Sequence, residues 1–318
     1  MENILLAIAL KNTARNKTSK IIEFIKQKSI NITELQYKEL AEIINSYLRS
    51  KEITAEELEK EYEKAIQFLN MCQKLNINVI SKLNSKYPKK LLTINDSPDL
   101  LYYKGDISLA DKMPFIAVVG SRKINQKEAK LARTVSKVAV ENGFGVVSGL
   151  AIGCDTEAHK GCLEVMGKTV AVLPSNPIEI YPKQNKKLAE KILESGGLLI
   201  SEYKPGTKIL KSNFILRNRL QSALSEAIIV IATSTKGGTM HTVNFAEKQN
   251  KIICSIVYPD NHKTEETSGN KQLIQEHRAI PIRSIYDFIN ILDRIKNNQQ
   301  DLKSEISNEQ QLNFKYNI

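Results

Sequence analysis

The sequence lacks most of the features that would assign it quickly. Its 318 residues include four cysteines, Cys72, Cys154, Cys162 and Cys254. They are scattered, with no C-x-x-C pair and no histidine at a zinc-ligand spacing, which excludes a disulfide scaffold and a zinc finger and reads as reduced core thiols. No metal site is expected. No apolar run approaches the roughly 20 residues of a membrane span. The opening Met1–Leu10 has Glu2 where a secretory n-region is basic, and its apolar stretch is broken at Lys11, so it does not read as a cleaved signal. These absences point to the cytoplasm. G-x-G-x-x-G and the Walker A order are also missing, so neither a dinucleotide nor triphosphatase chemistry is inferred, and no cofactor is expected.

What is present is an ordinary globular composition, 42% apolar and 25% charged, which excludes wholesale disorder. Lys plus Arg exceed Asp plus Glu by 46 to 35, a formal charge of +11. That excess favours an anionic partner such as nucleic acid or an acidic membrane surface, although a generally lysine-rich proteome would produce it too.

Residues 1–85 read as a small helical domain, with Ile4, Leu5, Ile8 and then Ile21, Ile22, Ile25 at three- and four-residue steps. Thr54 and Glu57 form a capping-box sequence for its last helix, whose apolar face would carry Tyr62, Ile66, Leu69 and Cys72. Pro88, Asp96, Pro98 and Gly105 then break the period, so 86–112 reads as a linker or lead-in strand. From 113 to 296 short apolar runs alternate with helix-length segments. The runs are Phe115–Val119, Phe144–Val147, Thr169–Leu173, Leu198–Glu202, Ala227–Ala232 and Lys251–Val257, with a further strand at Ala279–Ile282. Parallel strands need long crossover connections, so the pattern predicts an α/β fold with a Rossmann-like, doubly wound, mostly parallel sheet. Residues 297–318 read as a polar tail.

Ligands of such sheets sit beyond the carboxyl ends of the strands. The first strand ends in Gly120-Ser121-Arg122-Lys123, a close turn with a hydroxyl and two cations. The second ends in Ser148-Gly149-Leu150-Ala151-Ile152-Gly153-Cys154-Asp155, small residues whose amides could approach an anion while Asp155 caps the next helix, unless these are merely tight turns. Between Lys183 and Arg219 nine Lys or Arg face three acidic residues, and Phe214 stands among them. A base can stack on such a ring while cations neutralise phosphates, but Phe214 could equally be a core anchor. Arg217 and Arg219, two positions apart on a helix, point to different faces, so one would reach the ligand while the other packs or pairs. Thr233–Met240 contains Gly237-Gly238-Thr239 before a helix, a cradle of N–H groups that is the sharpest anion signal in the chain.

In order along the chain, these segments closely resemble the DNA-processing protein A (DprA/Smf) family. The resemblance rests on Val118–Arg122, Val147–Ala151 with Gly153, Asp155 and His159, Leu199–Tyr203 with Pro205-Gly206-Thr207, Asn213-Phe214, Arg217-Asn218-Arg219, Gly237-Gly238-Thr239 and Gly269-Asn270. It covers about Tyr87 to Phe288 and implies a non-enzymatic protein. Such a protein binds and protects single-stranded DNA, forms a homodimer and helps load the RecA recombinase in natural transformation. It further implies that Arg122 meets a backbone phosphate, Phe214 stacks near a base and Gly237-Gly238-Thr239 cradles phosphate. Gly120, Ser121, Gly149, Asn213, Arg217, Arg219 and, more weakly, Lys251 complete the expected DNA-binding set.

Three departures stand out. Pro174-Ser175-Asn176-Pro177 replaces a glycine-rich turn, the residues after Lys296 are too few for the C-terminal winged-helix domain of many relatives, and the N-terminal helices lack helix-hairpin-helix glycines. The competing readings are a nucleoside-monophosphate phosphoribohydrolase and a nucleotide-sensing module. The first wants a third glycine in the 237–239 turn and an early helical glutamate, whereas Glu247 lies eight residues past Thr239. The second would not need the basic lip of Lys204–Arg219.

Overall fold

A computed structural model describes residues 2–14, 17–49, 53–259 and 264–297. The predicted polar tail lies, from 298 on, outside the described residues.

Four helices open the chain: α1 (Glu2–Thr13), α2 (Thr18–Gln27), α3 (Tyr37–Leu48) and α4 (Ala55–Lys74). The predicted capping box starts α4, with Glu57 N–H donating to Thr54 Oγ1 at 3.1 Å and Thr54 N–H to Glu57 Oε2 at 3.2 Å. The buried face is turned slightly from the expected one. Leu58, Tyr62, Ala65 and Cys72 are buried, whereas Ile66 is exposed. The stripe that meets α1 runs through 58, 62, 65 and 72, and position 66 lies about 100° around the helix from 65.

The remainder builds one nine-stranded sheet. Its strands are β1 (Asn78–Ser81), β2 (Leu100–Gly105), β3 (Phe115–Val119), β4 (Gly145–Ser148), β5 (Thr169–Leu173), β6 (Leu198–Ser201), β7 (Ala227–Val230), β8 (Ile252–Ile256) and β9 (Ile280–Ile282), in the order β1-β2-β6-β5-β4-β3-β7-β8-β9. β3 to β9 pair in parallel, while β1 and β2 join the β6 edge antiparallel. The fold is therefore the expected Rossmann-like, mostly parallel α/β sheet with a helical N-terminal region.

Both faces are covered, as a parallel sheet requires. Along β3, Phe115, Ala117 and Val119 enter one core and Ile116 and Val118 the other, because successive strand side chains point to opposite faces. The first core takes in α10 (Asn218–Leu224), α11 (Thr239–Lys248) and α12 (Ser268–Gln275). The second takes in α6 (Gln126–Glu141), α7 (Cys154–Glu164) and α13 (Ile285–Lys296). The stretch 86–112 is woven into this body. Tyr87 and Leu91 are fully buried in the first core, and β2 sends Leu101 there while Leu100 and Tyr102 enter the helical N-terminal core. Chain order reverses direction between β3 and β7, which opens a crevice at their carboxyl ends.

Candidate nucleic-acid interface

That crevice is a cavity of about 440 Å³. The turn after β3 supplies Gly120, Ser121 and Arg122, the turn after β7 supplies Gly237, Gly238 and Thr239, and α9 (Lys211–Leu216) and α10 bring Phe214, Arg217, Asn218 and Gln221. Gly120 is required by close approach, since a Cβ there would run into Cys154 Sγ at the start of α7 and stand 3.0 Å from the Ala232 carbonyl.

Arg122 is exposed, with its guanidinium 4.9 Å from the centre of the Phe214 ring, a cation–π arrangement that holds both at the mouth. Arg217 is different: it is 4% exposed, and its nearest opposite charge is Asp155, at 3.6 Å. Its Nε and Nη1 have no hydrogen-bond partner among the described residues, and neither has Nε2 of the buried Gln221. Buried donors left unpaired are costly, and both side chains line the cavity, so the site is short of acceptors in the way an anion or base edge would relieve.

The glycine turn after β4 works otherwise than predicted. Gly149 and Ala151 N–H donate to Asp155 Oδ2 at 3.1 and 3.3 Å, so this loop cradles the protein's own carboxylate and not an external anion. Gly149 contributes space, because a Cβ on it would fall inside the Arg217 guanidinium. Burial raises the Asp155 carboxyl above its ordinary range and lowers Arg217 below its own, each against the attraction of the other. Beside them His159 is fully buried and burial pushes it down to about 3, so the ring is neutral at pH 7. Thr169 Oγ1 donates to the Val146 carbonyl, so His159 Nδ1, 2.7 Å away, carries the proton toward Thr169.

The turn after β7 is held from behind. Asn270 accepts from Thr233 N–H at 2.8 Å and donates to the Val230 and Ile231 carbonyls at 3.2 and 2.9 Å, while Gly269 N–H donates to the Thr233 carbonyl at 2.8 Å. Gly238, by contrast, has open space around it and faces the cavity at the N-terminus of α11.

Three expected residues are placed elsewhere. Arg219 is buried in an ion-pair cluster, bidentate to Glu202 at 2.8 Å and 2.7 Å from Asp96, where it ties β6 to the 86–112 stretch. Lys251 precedes β8 at the amino end of the sheet, opposite the crevice, and its Nζ reaches the Ala223 carbonyl at 3.4 Å. Asn213 is buried and turned to the Pro174 carbonyl at 3.1 Å. The Pro174–Pro177 wall is closed by its own side chains, with Asn176 Oδ1 accepting from Ile178 and Glu179 N–H. Asn218 was quoted for the resemblance but not counted in the expected DNA-binding set, and sequence reasoning missed Gln221 and also Glu266, whose Oε2 receives a 2.6 Å hydrogen bond from Ser121 Oγ inside the cavity. One glutamate of the Glu265-Glu266 pair in a polar segment carries no signal that would have singled it out.

The model of the family described as DNA recombination-mediator protein A matches residues 78–293, from β1 into α13. The chain belongs to this family. Similar proteins include Protein Smf of Synechocystis sp., 36% identical over 211 residues that make up 65% of this chain and 52% of that protein. DNA processing protein DprA of Streptococcus pneumoniae is 38% identical over 196 residues, 62% of this chain and 68% of that one. Protein Smf of Borreliella burgdorferi is 42% identical over 164 residues, 51% of this chain and 52% of that one. The chain thus spans about half the length of the two Smf proteins.

Among solved structures, the X-ray structure of the S. pneumoniae protein superposes with a TM-score of 0.70 at 30% identity, covering 90% of this chain and 95% of that one. DNA processing protein A of Helicobacter pylori, whose structure concerns its single-stranded DNA binding mode, gives 0.61 at 29% identity, covering 69% and 96%. The family match contains the whole sheet and every wall of the crevice.

Proposed function

We propose that this chain binds single-stranded DNA in the crevice between β3 and β7 and acts as a binding protein, not a catalyst. The observation that carries this is that Arg217 and Gln221, whose buried donors lack partners among the described residues, both line a cavity whose mouth is the Arg122–Phe214 pair. Phosphate oxygens satisfy such donors, and an exposed cation beside an aromatic face suits an unstacked base. The exposed Lys204, Lys208 and Lys211 extend the positive lip, which favours a strand that continues past the cavity over a small phosphorylated ligand. Family membership and the subject of the H. pylori structure support the same reading.

The hydrolase reading is weakened by geometry. Glu247 is engaged by Arg278 at 2.7 Å, and the neutral, buried His159 is in no state to exchange protons near pH 7. By the family resemblance, the bound strand is protected and handed to a RecA-type recombinase by a homodimer in the cytoplasm.

The test is anisotropy of labelled oligo-dT and its duplex over a salt series, with wild type and Arg122→Ala. Single-strand preference, affinity falling with salt and at least about tenfold loss in the variant are expected. Absence of oligo-dT binding, or a variant equal to wild type, would sink the proposal.

A further inference from the structure

After β5 the chain runs along the crevice rim to a 3-10 turn at Lys183–Asn185 and then α8 (Lys186–Glu194). Asn185 pins this rim, its Nδ2 donating to the Leu150 carbonyl and to Thr156 Oγ1, each at 2.8 Å. The anchor holds Tyr181 against the site: its ring lies 5.3 Å from that of Phe214 at an interplanar angle of 73°. Tyr181 is nevertheless 44% exposed, and beside it Ile152 is 46% exposed. A recess of about 50 Å³ between them is also lined by Arg122, Phe214 and Arg217, which line the main cavity too, so the two adjoin. Beyond Tyr181 the surface carries exposed Lys183, Lys186 and Lys187. A large ring fixed in place yet left open, between a cation-bearing cavity and a run of lysines, is not accounted for by core packing.

We propose that Tyr181 is a second base-stacking platform. On the single-strand reading, on which this rests, a strand whose phosphate meets the cradle and whose base meets Phe214 crosses the Phe214–Tyr181 ridge. It lays the adjacent base on Tyr181, and its following phosphates reach Lys183 and Lys187. The angle between the rings selects the ligand. Two bases stacked on rings 73° apart cannot also stack on each other, which a single strand tolerates and a duplex does not. A mononucleotide fills the cradle without touching Tyr181.

The chain contains no tryptophan, so Tyr181→Trp creates a protein with one indole, at the proposed contact. Oligo-dT of roughly 10 nucleotides, within the usual site sizes, is expected to quench that fluorescence, and thymidine monophosphate is not. Tyr181→Ala should weaken oligo-dT binding about tenfold with the salt slope unchanged, since a ring and no charge is lost. Tyr181→Phe should restore most of that loss. An unquenched indole while anisotropy reports bound oligo-dT, or Tyr181→Ala equal to wild type, overturns the platform and leaves the single-strand reading standing. Failure of wild type to bind oligo-dT removes both.

Discussion

Arg217 and Glu266 face one cavity with opposite signs, and only the first suits a polyanion. Among the described residues no lysine or arginine pairs with Glu266; its hydrogen bond comes from Ser121, a hydroxyl of the predicted anion turn. The carboxylate therefore stands where a phosphate oxygen would and repels one that approaches. Glu266→Gln keeps a hydrogen-bonding group for Ser121 while removing the charge, and should tighten oligo-dT binding by about 1 kcal/mol, roughly fivefold. Weaker binding in that variant would mean instead that the carboxylate accepts from a base.

His159 makes a second residue-scale prediction, on stability. Its folded pKa of about 3 lies below the ordinary histidine value, so between about pH 6.5 and 3 the unfolded chain binds the extra proton and stability falls with acid. Asp155, raised by burial, acts with the opposite sign toward the acid end, so the histidine's own contribution is read just below about pH 6.5. There wild type should lose up to about 1.4 kcal/mol per pH unit in urea unfolding, and His159→Gln should show a flatter profile. Equal slopes would place the acid sensitivity elsewhere.

At the scale of elements, the turn after β7 depends on a side chain from α12. Asn270→Ala strips three hydrogen bonds from a buried loop and leaves backbone groups unpaired, a cost of about 2–4 kcal/mol by chemical denaturation. Since the same turn carries Gly237 and Gly238, binding should weaken even where the variant is folded. Affinity unchanged in the folded variant would show that the cradle does not need this support.

The β-branched runs from Phe115 onward announced their strands because nearly every position of β3 to β8 is buried, so most of them are apolar. β1 was not legible, being four residues long and secured by antiparallel pairing to β2 some twenty residues later. The site was legible where glycine and phenylalanine mark shape, as at Gly120, Phe214 and Gly237. It was not legible where charge is ambiguous. Arg217 and Arg219 look alike in sequence, yet the first lines the cavity beside Asp155 at 3.6 Å while Glu202 and Asp96 engage the second closely. Lys251 was misplaced by reading its position near a strand without regard to which end of the sheet it occupies.

For the molecule as a whole, the two edges of the sheet are treated differently. At one edge α1 and α4 pack against β1, whose Val79 joins the helical core. At the other, β9 pairs with β8 alone, and Pro281 within it removes a backbone donor, which discourages a further strand. Beside that edge Tyr286 is 72% and Ile285 52% exposed, next to an apolar hollow of about 290 Å³ floored by Phe288 and Ile282. If the chain forms the proposed homodimer, this side-chain surface is where a second copy would bury apolar area without strand pairing. Light scattering at micromolar concentration should give twice the protomer mass for wild type and the single mass for Tyr286→Glu. The variant should stay folded, because so exposed a ring contributes little to the core. Joining two crevices also raises affinity for a strand long enough to engage both. The variant should therefore lose affinity for long oligo-dT and keep it for an oligonucleotide that fills one site. A wild-type monomer, or a variant that remains paired, would rule this surface out.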